Sequence, residues 1–155
     1  MLKVAIIIGS TRPGRKAEVV ARWVYEIAAK RSDASFELVD IADFDLPLLD
    51  EPLPPIMNQY SKPHTKLWAA KIASFDAFVF VTPEYNHSTS GALKNAIDFF
   101  YREWNDKAAG FVGTAASVEH APSSICDSSW ARSRLPTSGP RSPCRSIPIS
   151  KISPR

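Results

Sequence analysis

The sequence has few of the residues that mark several classes of protein. Only two of its 155 residues are cysteine, Cys126 and Cys144, and they form no CxxC pair or metal-binding spacing. A disulfide-stapled secreted domain is therefore not expected. No apolar run is long enough to span a membrane, and the one near the N-terminus leads into a glycine turn without a signal-peptide cleavage site. The sequence predicts a cytoplasmic protein with no membrane partner.

An excess of charge of one sign is also missing from most of the chain. Residues 1–113 carry 13 Lys and Arg against 14 Asp and Glu, whereas residues 114–155 carry 6 against 2. The net charge of +3 therefore arises in the C-terminal segment. A surface of the kind that binds nucleic acid is not expected.

Apolar runs alternate with helical patterns over the first 113 residues. Continuous apolar runs, typical of buried parallel strands, occur at 4–8 and 77–81, a strand-like run occurs at 36–41, and 110–113 ends a fourth, short strand. Helical spacing occurs at 17–30, 66–75 and 90–104, and in the second of these Leu67, Ala70 and Ile72 are expected to face inward. The proline-rich segment 44–63 predicts an irregular excursion over the surface. This order predicts an α/β, doubly wound parallel sheet that binds ligands beyond the carboxyl ends of its strands.

The turn after the first predicted strand has the composition of a phosphate site. It reads GSTRPGRKA and leads into a helix, whose N-terminus attracts anions. Ser10 and Thr11 add hydroxyl donors, and Arg12, Arg15 and Lys16 add charged ones. Neither G-x-G-x-x-G nor a Walker A pattern is present. The alternative is an exposed polar turn with Ser or Thr capping the helix.

The turn after the third predicted strand reads TPEYNHSTS and is expected beside the first. Pro83 fixes the chain direction, Tyr85 can stack, and Asn86 can bond the edge of a planar heteroaromatic ring. Ser90, at the end of this loop, is also predicted to bind a cofactor. The alternative is a polar loop in which Ser90 caps the next helix.

Two side chains of the second turn could carry acid–base chemistry, but each stands alone. Glu84 and His87 have no partner base in the sequence pattern, and a lone group in a loop is more often solvated. We therefore predict no catalytic side chain.

The stretches GSTRPGRKAEVVARWV and VTPEYNHSTSGALKNAIDFFYREWNDKAAGFVG resemble the NADPH-dependent FMN reductase family. That family includes FMN-containing quinone, chromate and azo-dye reductases, and the resemblance covers residues 2–113. It implies a flavodoxin-like sheet of order 2-1-3-4, bound FMN, and NADPH or NADH as the hydride donor. It also implies a quinone or a flavin as the electron acceptor.

The resemblance also implies roles for individual residues. FMN phosphate contacts are implied for Ser10, Arg12, Lys16 and Ala17. Isoalloxazine contacts are implied for Pro83, Glu84, Tyr85 and Asn86, with Lys94 and Asn95 on the supporting helix. A homodimer or tetramer would use the excursion and the aromatic residues Phe99, Phe100, Tyr101 and Trp104. Those aromatics fit an intramolecular core equally well.

The composition changes at residue 114. Residues 114–155 hold 11 Ser, 6 Pro and 5 Arg, without the Gly-rich loop, fifth strand and last two helices that the resemblance implies. One hypothesis is a frameshift near Gly113, which sequencing of the gene would test, since incompatible codons would exclude it. The alternative is a native, basic, disordered tail that binds an acidic partner.

Three functions remain open at this point. The chain is an active NAD(P)H-dependent reductase, a flavodoxin-like FMN-binding module without turnover, or an inactive truncated product. Loss of the last strand and helices would favour the third, because an unpaired strand edge and uncovered sheet faces predict low stability.

Overall fold

A computed structural model describes residues 1–114, which form a four-stranded sheet with helices on both faces. The strands are β1 (Leu2–Ile8), β2 (Ala34–Asp40), β3 (Ala77–Pro83) and β4 (Ala108–Thr114). They lie in the order β2-β1-β3-β4 and all pairs are parallel. The predicted fold class and strand order are confirmed. The predicted tail, frameshift and missing elements lie outside the described residues.

Three helices connect the strands. These are α1 (Ala17–Ala28), α2 (Pro63–Ala73) and α3 (Gly91–Asp98). Short 3₁₀ turns occur at Ile41–Phe44, Pro55–Met57 and Arg102–Trp104. Within residues 1–114, no helix combines the length and the apolar character needed to cross a membrane.

The centre of the sheet is β1, whose side chains alternate between two cores. Ala5 and Ile7 pack on the face covered by α2 and α3, whereas Ile6 and Ile8 pack on the face covered by α1. All four side chains are buried. A strand buried on both faces needs a continuous apolar run, and this explains why residues 4–8 show no polar alternation.

The aromatic residues that follow α3 belong to the intramolecular core. Phe99, Phe100 and Trp104 are buried and pack with Trp68 of α2. The interface role considered for them is therefore wrong. The helix predicted to run to 104 ends at Asp98, and two indole N–H groups replace its missing donors. These are Trp68 Nε1, which donates to the Ala96 carbonyl at 2.9 Å, and Trp104 Nε1, which donates to the Ile97 carbonyl at 3.1 Å.

Helix α2 begins three residues before its predicted start, with Pro63 in its first turn. Its buried side chains are Thr65, Trp68, Ala69 and Ile72. The inward prediction is confirmed for Ile72 but is wrong for Leu67 and Ala70, which are exposed. The large Trp68 side chain determines which face of the helix is buried.

The excursion between β2 and α2 is irregular, as predicted, apart from the 3₁₀ turns at Ile41–Phe44 and Pro55–Met57. The Asn95 side chain holds its first part, donating to the Pro47 carbonyl at 2.7 Å and accepting from the Leu49 N–H at 3.0 Å. The Glu51 carboxylate holds its last part by accepting from the backbone N–H groups of Ser61 at 2.8 Å and Lys62 at 2.9 Å.

The Glu51 contacts predict an acid-sensitive contribution to stability. Burial opposes ionisation, but the hydrogen bonds from Ser61 and Lys62 outweigh it and lower the pKa of Glu51 to about 2. The folded pKa lies below the unfolded one, so this stabilisation is present above about pH 4.5 and is lost as the pH falls towards 2. Glu51→Gln is expected to cost about 1–2 kcal/mol at neutral pH, after allowance for solvent screening.

Urea unfolding of wild type and Glu51→Gln at about pH 7 and about pH 3 measures this effect. The gap between the two proteins should shrink at the lower pH. Glu26→Gln, an exposed carboxylate on α1, is the control and should show little change. An equal gap at both pH values would contradict the assignment to Glu51.

Candidate functional site

The loops that follow β1 and β3 meet at the carboxyl edge of the sheet, as the sequence predicted. In the β1–β3 pair, Ile8 lies opposite Val81. One residue further, the Gly9 N–H donates to the Val81 carbonyl at 2.7 Å. Ligands bind at this edge in open parallel sheets, so the two loops define the candidate site.

Gly9 allows α3 to approach the end of β1. A Cβ atom at this position would lie 2.8 Å from Leu93 Cδ2 and 3.0 Å from the Val81 carbonyl oxygen. Both distances are shorter than ordinary van der Waals contact. The glycine directly after β1 is therefore required by packing rather than by an unusual φ angle, since its φ is not positive.

The first loop turns sharply before α1. The Arg15 N–H donates to the Arg12 carbonyl at 3.1 Å, and Gly14 has a φ of 68°. With Pro13 before that glycine, this is the pattern of a type II turn. Helix α1 then starts after Lys16 without a side-chain cap, so the capping alternative is wrong. The N–H groups of its first turn have no intrahelical partner and remain available to an anion.

The three cations of this loop do not act alike. The side chains of Arg12 and Lys16 are exposed and have no hydrogen-bond partner within residues 1–114. Arg15 is partly buried, pairs with the Asp40 carboxylate, and donates to the Ser10 carbonyl at 2.9 Å. Two of the predicted phosphate contacts are therefore free to meet a ligand, whereas Arg15 is already engaged.

The second loop contains a tight turn. The backbone groups of Tyr85 and Ser88 exchange hydrogen bonds of 2.9 and 3.0 Å, while Asn86 and His87 have φ angles of 50° and 63°. Two positive φ angles identify a type I′ turn. The Glu84 carboxylate accepts from the His87 N–H at 2.6 Å and so helps to hold the turn. The side chains of Tyr85 and Asn86 are exposed.

Ser90 joins the two loops. Its Oγ donates to the Gly9 carbonyl at 2.5 Å and accepts from the Leu93 N–H at 3.1 Å. The cap interpretation of Ser90 is thus confirmed. The side chain is only 3% exposed, and its hydroxyl makes both of these hydrogen bonds within the protein, so it holds the two loops together.

The described residues contain no group of three or more His, Cys, Asp or Glu placed to hold a metal ion. The chain matches one known protein family over most of its length. The family described as NADPH-dependent FMN reductase matches residues 2–125. The chain belongs to this family.

Relatives of this FMN reductase family member span bacteria and fungi. An NAD(P)H-dependent FMN reductase of Schizosaccharomyces pombe is 45% identical over 107 residues, which is 68% of this chain and 54% of that protein. A quinone reductase of Pseudomonas putida is 37% identical over 123 residues, covering 79% of this chain and 61% of the relative. The chain therefore spans only 54% to 61% of the length of these curated relatives.

A solved structure has the same fold. The flavoenzyme NAD(P)H:(acceptor) oxidoreductase FerB of Paracoccus denitrificans superposes with a TM-score of 0.66 at 22% identity, covering 99% of this chain and 78% of that one. The sheet of this family member is accordingly flavodoxin-like.

Three residues of the candidate site were not identified from the sequence alone. Gly9 and Leu93 form the contact between the end of β1 and α3, and Asp40 pairs with Arg15. Asp40 could have been identified as a site residue, because it is a carboxylate at the carboxyl end of a predicted strand, where ligands bind. Asn95 was expected at the start of the helix that supports the second loop. It lies on α3, and its side chain anchors the excursion.

Proposed function

We propose that this chain is an NAD(P)H-dependent reductase that holds FMN between the two loops, with residues 1–113 forming the FMN-binding unit. The observation that carries the proposal is the uncapped start of α1, with Arg12 and Lys16 exposed beside it. A phosphate monoester carries two negative charges near neutral pH and needs this combination of oriented N–H groups and cations.

The residues of the first loop fit the FMN phosphate. The free N–H groups at the start of α1 begin with that of Ala17, and the Thr11 hydroxyl is exposed on the same loop. Arg12 and Lys16 supply positive charge that no carboxylate in the described residues neutralises. These are the groups that would hold the phosphate.

The residues of the second loop fit the isoalloxazine ring. Pro83 ends β3, and the type I′ turn fixes the backbone at Tyr85 and Asn86. Tyr85 offers an aromatic face, and Asn86 offers an amide that can bond a ring edge. Bound FMN would supply hydride chemistry, taking electrons from NADPH or NADH and delivering them to a quinone or a flavin.

The protein's own part in this chemistry is to bind and orient. Glu84 uses its carboxylate to hold the turn, and the loops present no nucleophile paired with a base. Transfer of a hydride through a flavin needs neither, so the arrangement agrees with an oxidoreductase that has no catalytic side chain.

An FMN titration of the full-length chain, followed by NAD(P)H oxidation with a quinone acceptor, tests the proposal. The expected result is saturable binding at micromolar concentration or tighter, with turnover that depends on both FMN and quinone. Binding without turnover would identify a non-catalytic flavin-binding module. Absence of binding by folded protein would overturn the proposal and favour the inactive product.

We also propose that the chain forms a homodimer, or a tetramer made of two such dimers, through the excursion. This segment exposes Leu48, Leu53, Ile56 and Met57, which are 84%, 41%, 59% and 54% accessible. Exposed apolar residues in one segment mark association surfaces. Sedimentation should give a dimer mass for wild type and a monomer mass for Ile56→Glu, and a monomeric wild type would refute the proposal.

A further inference from the structure

Arg15 differs from the other two cations of the first loop in the contacts of its side chain. Its guanidinium bridges two chain segments, pairing with Asp40 at the end of β2 and donating to the Ser10 carbonyl at 2.9 Å. Asp40 lies opposite Ile8 in the β1–β2 register, just before the first loop. Its carboxylate also accepts from the Ala42 N–H at 2.9 Å, so it is fixed from both sides.

The bond to Ser10 orients a backbone donor. In a trans peptide the carbonyl and the N–H point in opposite directions. Because Arg15 holds the Ser10 carbonyl, the Thr11 N–H of the same peptide points away from the Arg15 side chain. This N–H has no partner within residues 1–114, and it belongs to the loop that leads into the uncapped helix.

The bond to Asp40 removes an unfavourable charge. Burial raises the pKa of Asp40, and the negative charges of Asp43 and Glu18 raise it further, while Arg15 acts in the opposite direction. Three carboxylates thus lie close to a loop that presents cations to solvent. Without Arg15, the carboxylate of Asp40 would repel an anion bound at the same edge of the sheet.

We propose that Arg15 is a positioning residue that orients the Ser10–Thr11 peptide and neutralises Asp40, so that the loop accepts a phosphate which Arg15 itself does not touch. This inference rests on the proposed FMN-binding function. It differs from the sequence-based expectation that Arg15 is one of the phosphate ligands.

A double-mutant cycle tests the proposal. FMN and riboflavin affinities are measured for wild type, Arg15→Gln, Asp40→Asn and the double variant at about pH 8, where Asp40 is ionised. Arg15→Gln is expected to weaken FMN binding more than about tenfold and riboflavin binding much less. The double variant should recover at least about fivefold over Arg15→Gln, because the repelling charge is gone.

Direct phosphate binding by Arg15 predicts a different pattern. The double variant would then remain as weak as Arg15→Gln, because the cation that binds the phosphate is missing in both. That result overturns the proposal. An equal loss for FMN and riboflavin would also overturn it, since that outcome reflects general loosening of the fold.

A further measurement distinguishes failure of the proposed FMN binding from failure of the proposed role of Arg15. If wild type binds neither flavin, inorganic phosphate becomes the probe, followed by the NMR shift of the Thr11 amide. A saturable shift in wild type that is weaker in Arg15→Gln supports the positioning role without FMN. Equal responses, or none in either protein, overturn it.

Discussion

Replacing Arg12 and Lys16 together by glutamine is expected to weaken FMN binding by at least about 100-fold, because each charged hydrogen bond contributes about 1.5–3 kcal/mol and two are lost. Both side chains are exposed and free of partners within the described residues, so their removal leaves no buried group unsatisfied. The lost affinity should come from the contacts with the phosphate group of FMN. Riboflavin, which lacks it, should bind both proteins with similar affinity, and flavin fluorescence quenching measures both constants.

The matched control removes two cations elsewhere. Lys30, near the C-terminal end of α1, and Lys66, on α2, are also exposed. Their double replacement by glutamine gives the same change in net charge and should reduce FMN affinity only slightly. If the control loses as much affinity as the test variant, long-range attraction explains the binding, and the proposed phosphate contacts are wrong.

Gly9→Ala is expected to lower the free energy of unfolding by about 3 kcal/mol and to weaken flavin binding more than about tenfold. The added methyl would lie 2.8 Å from Leu93 Cδ2 and 3.0 Å from the Val81 carbonyl oxygen. Leu93 is buried and has little room to move, so α3 must shift away from β1. Urea unfolding and FMN titration together report the two effects.

Gly91→Ala is the matched control. Gly91 begins α3, and a Cβ atom there meets nothing within 4 Å. Alanine also favours helix over glycine, so this change should be neutral or stabilising by up to about 1 kcal/mol. Similar losses at both positions would show that the close contact at Gly9 is not the cause.

The sheet was predictable because its signal lies in consecutive residues. The central strand β1 is apolar from residue 4 to residue 8, and the turns that follow β1 and β3 have compositions unlike the strands. The end of α3 was not predictable in this way. It depends on two indole N–H groups, of which Trp68 donates to the Ala96 carbonyl and Trp104 to the Ile97 carbonyl. The Trp68 contact depends in turn on how α2 packs against α3.

The candidate site was likewise predictable only in part. The meeting of the two loops follows from strand order, and the cations of the first loop are visible in the sequence. Their separate roles are not visible, because the partner of Arg15 is Asp40, 25 residues away. The buried position of Ser90 likewise depends on Gly9, 81 residues away. Composition identifies the groups that could bind a ligand, and tertiary contacts decide which of them are free.

The tight turn of the second loop has an entropic consequence. Its backbone is fixed before any ligand arrives, by the Tyr85–Ser88 hydrogen bonds and by the Glu84 carboxylate. The Thr82 and Thr89 hydroxyls, 2.7 Å apart, hold its base. Ordering a residue on binding costs about 1–2 kcal/mol, and a preorganised loop avoids that cost. A ring that binds here would not lose affinity to the ordering of this loop.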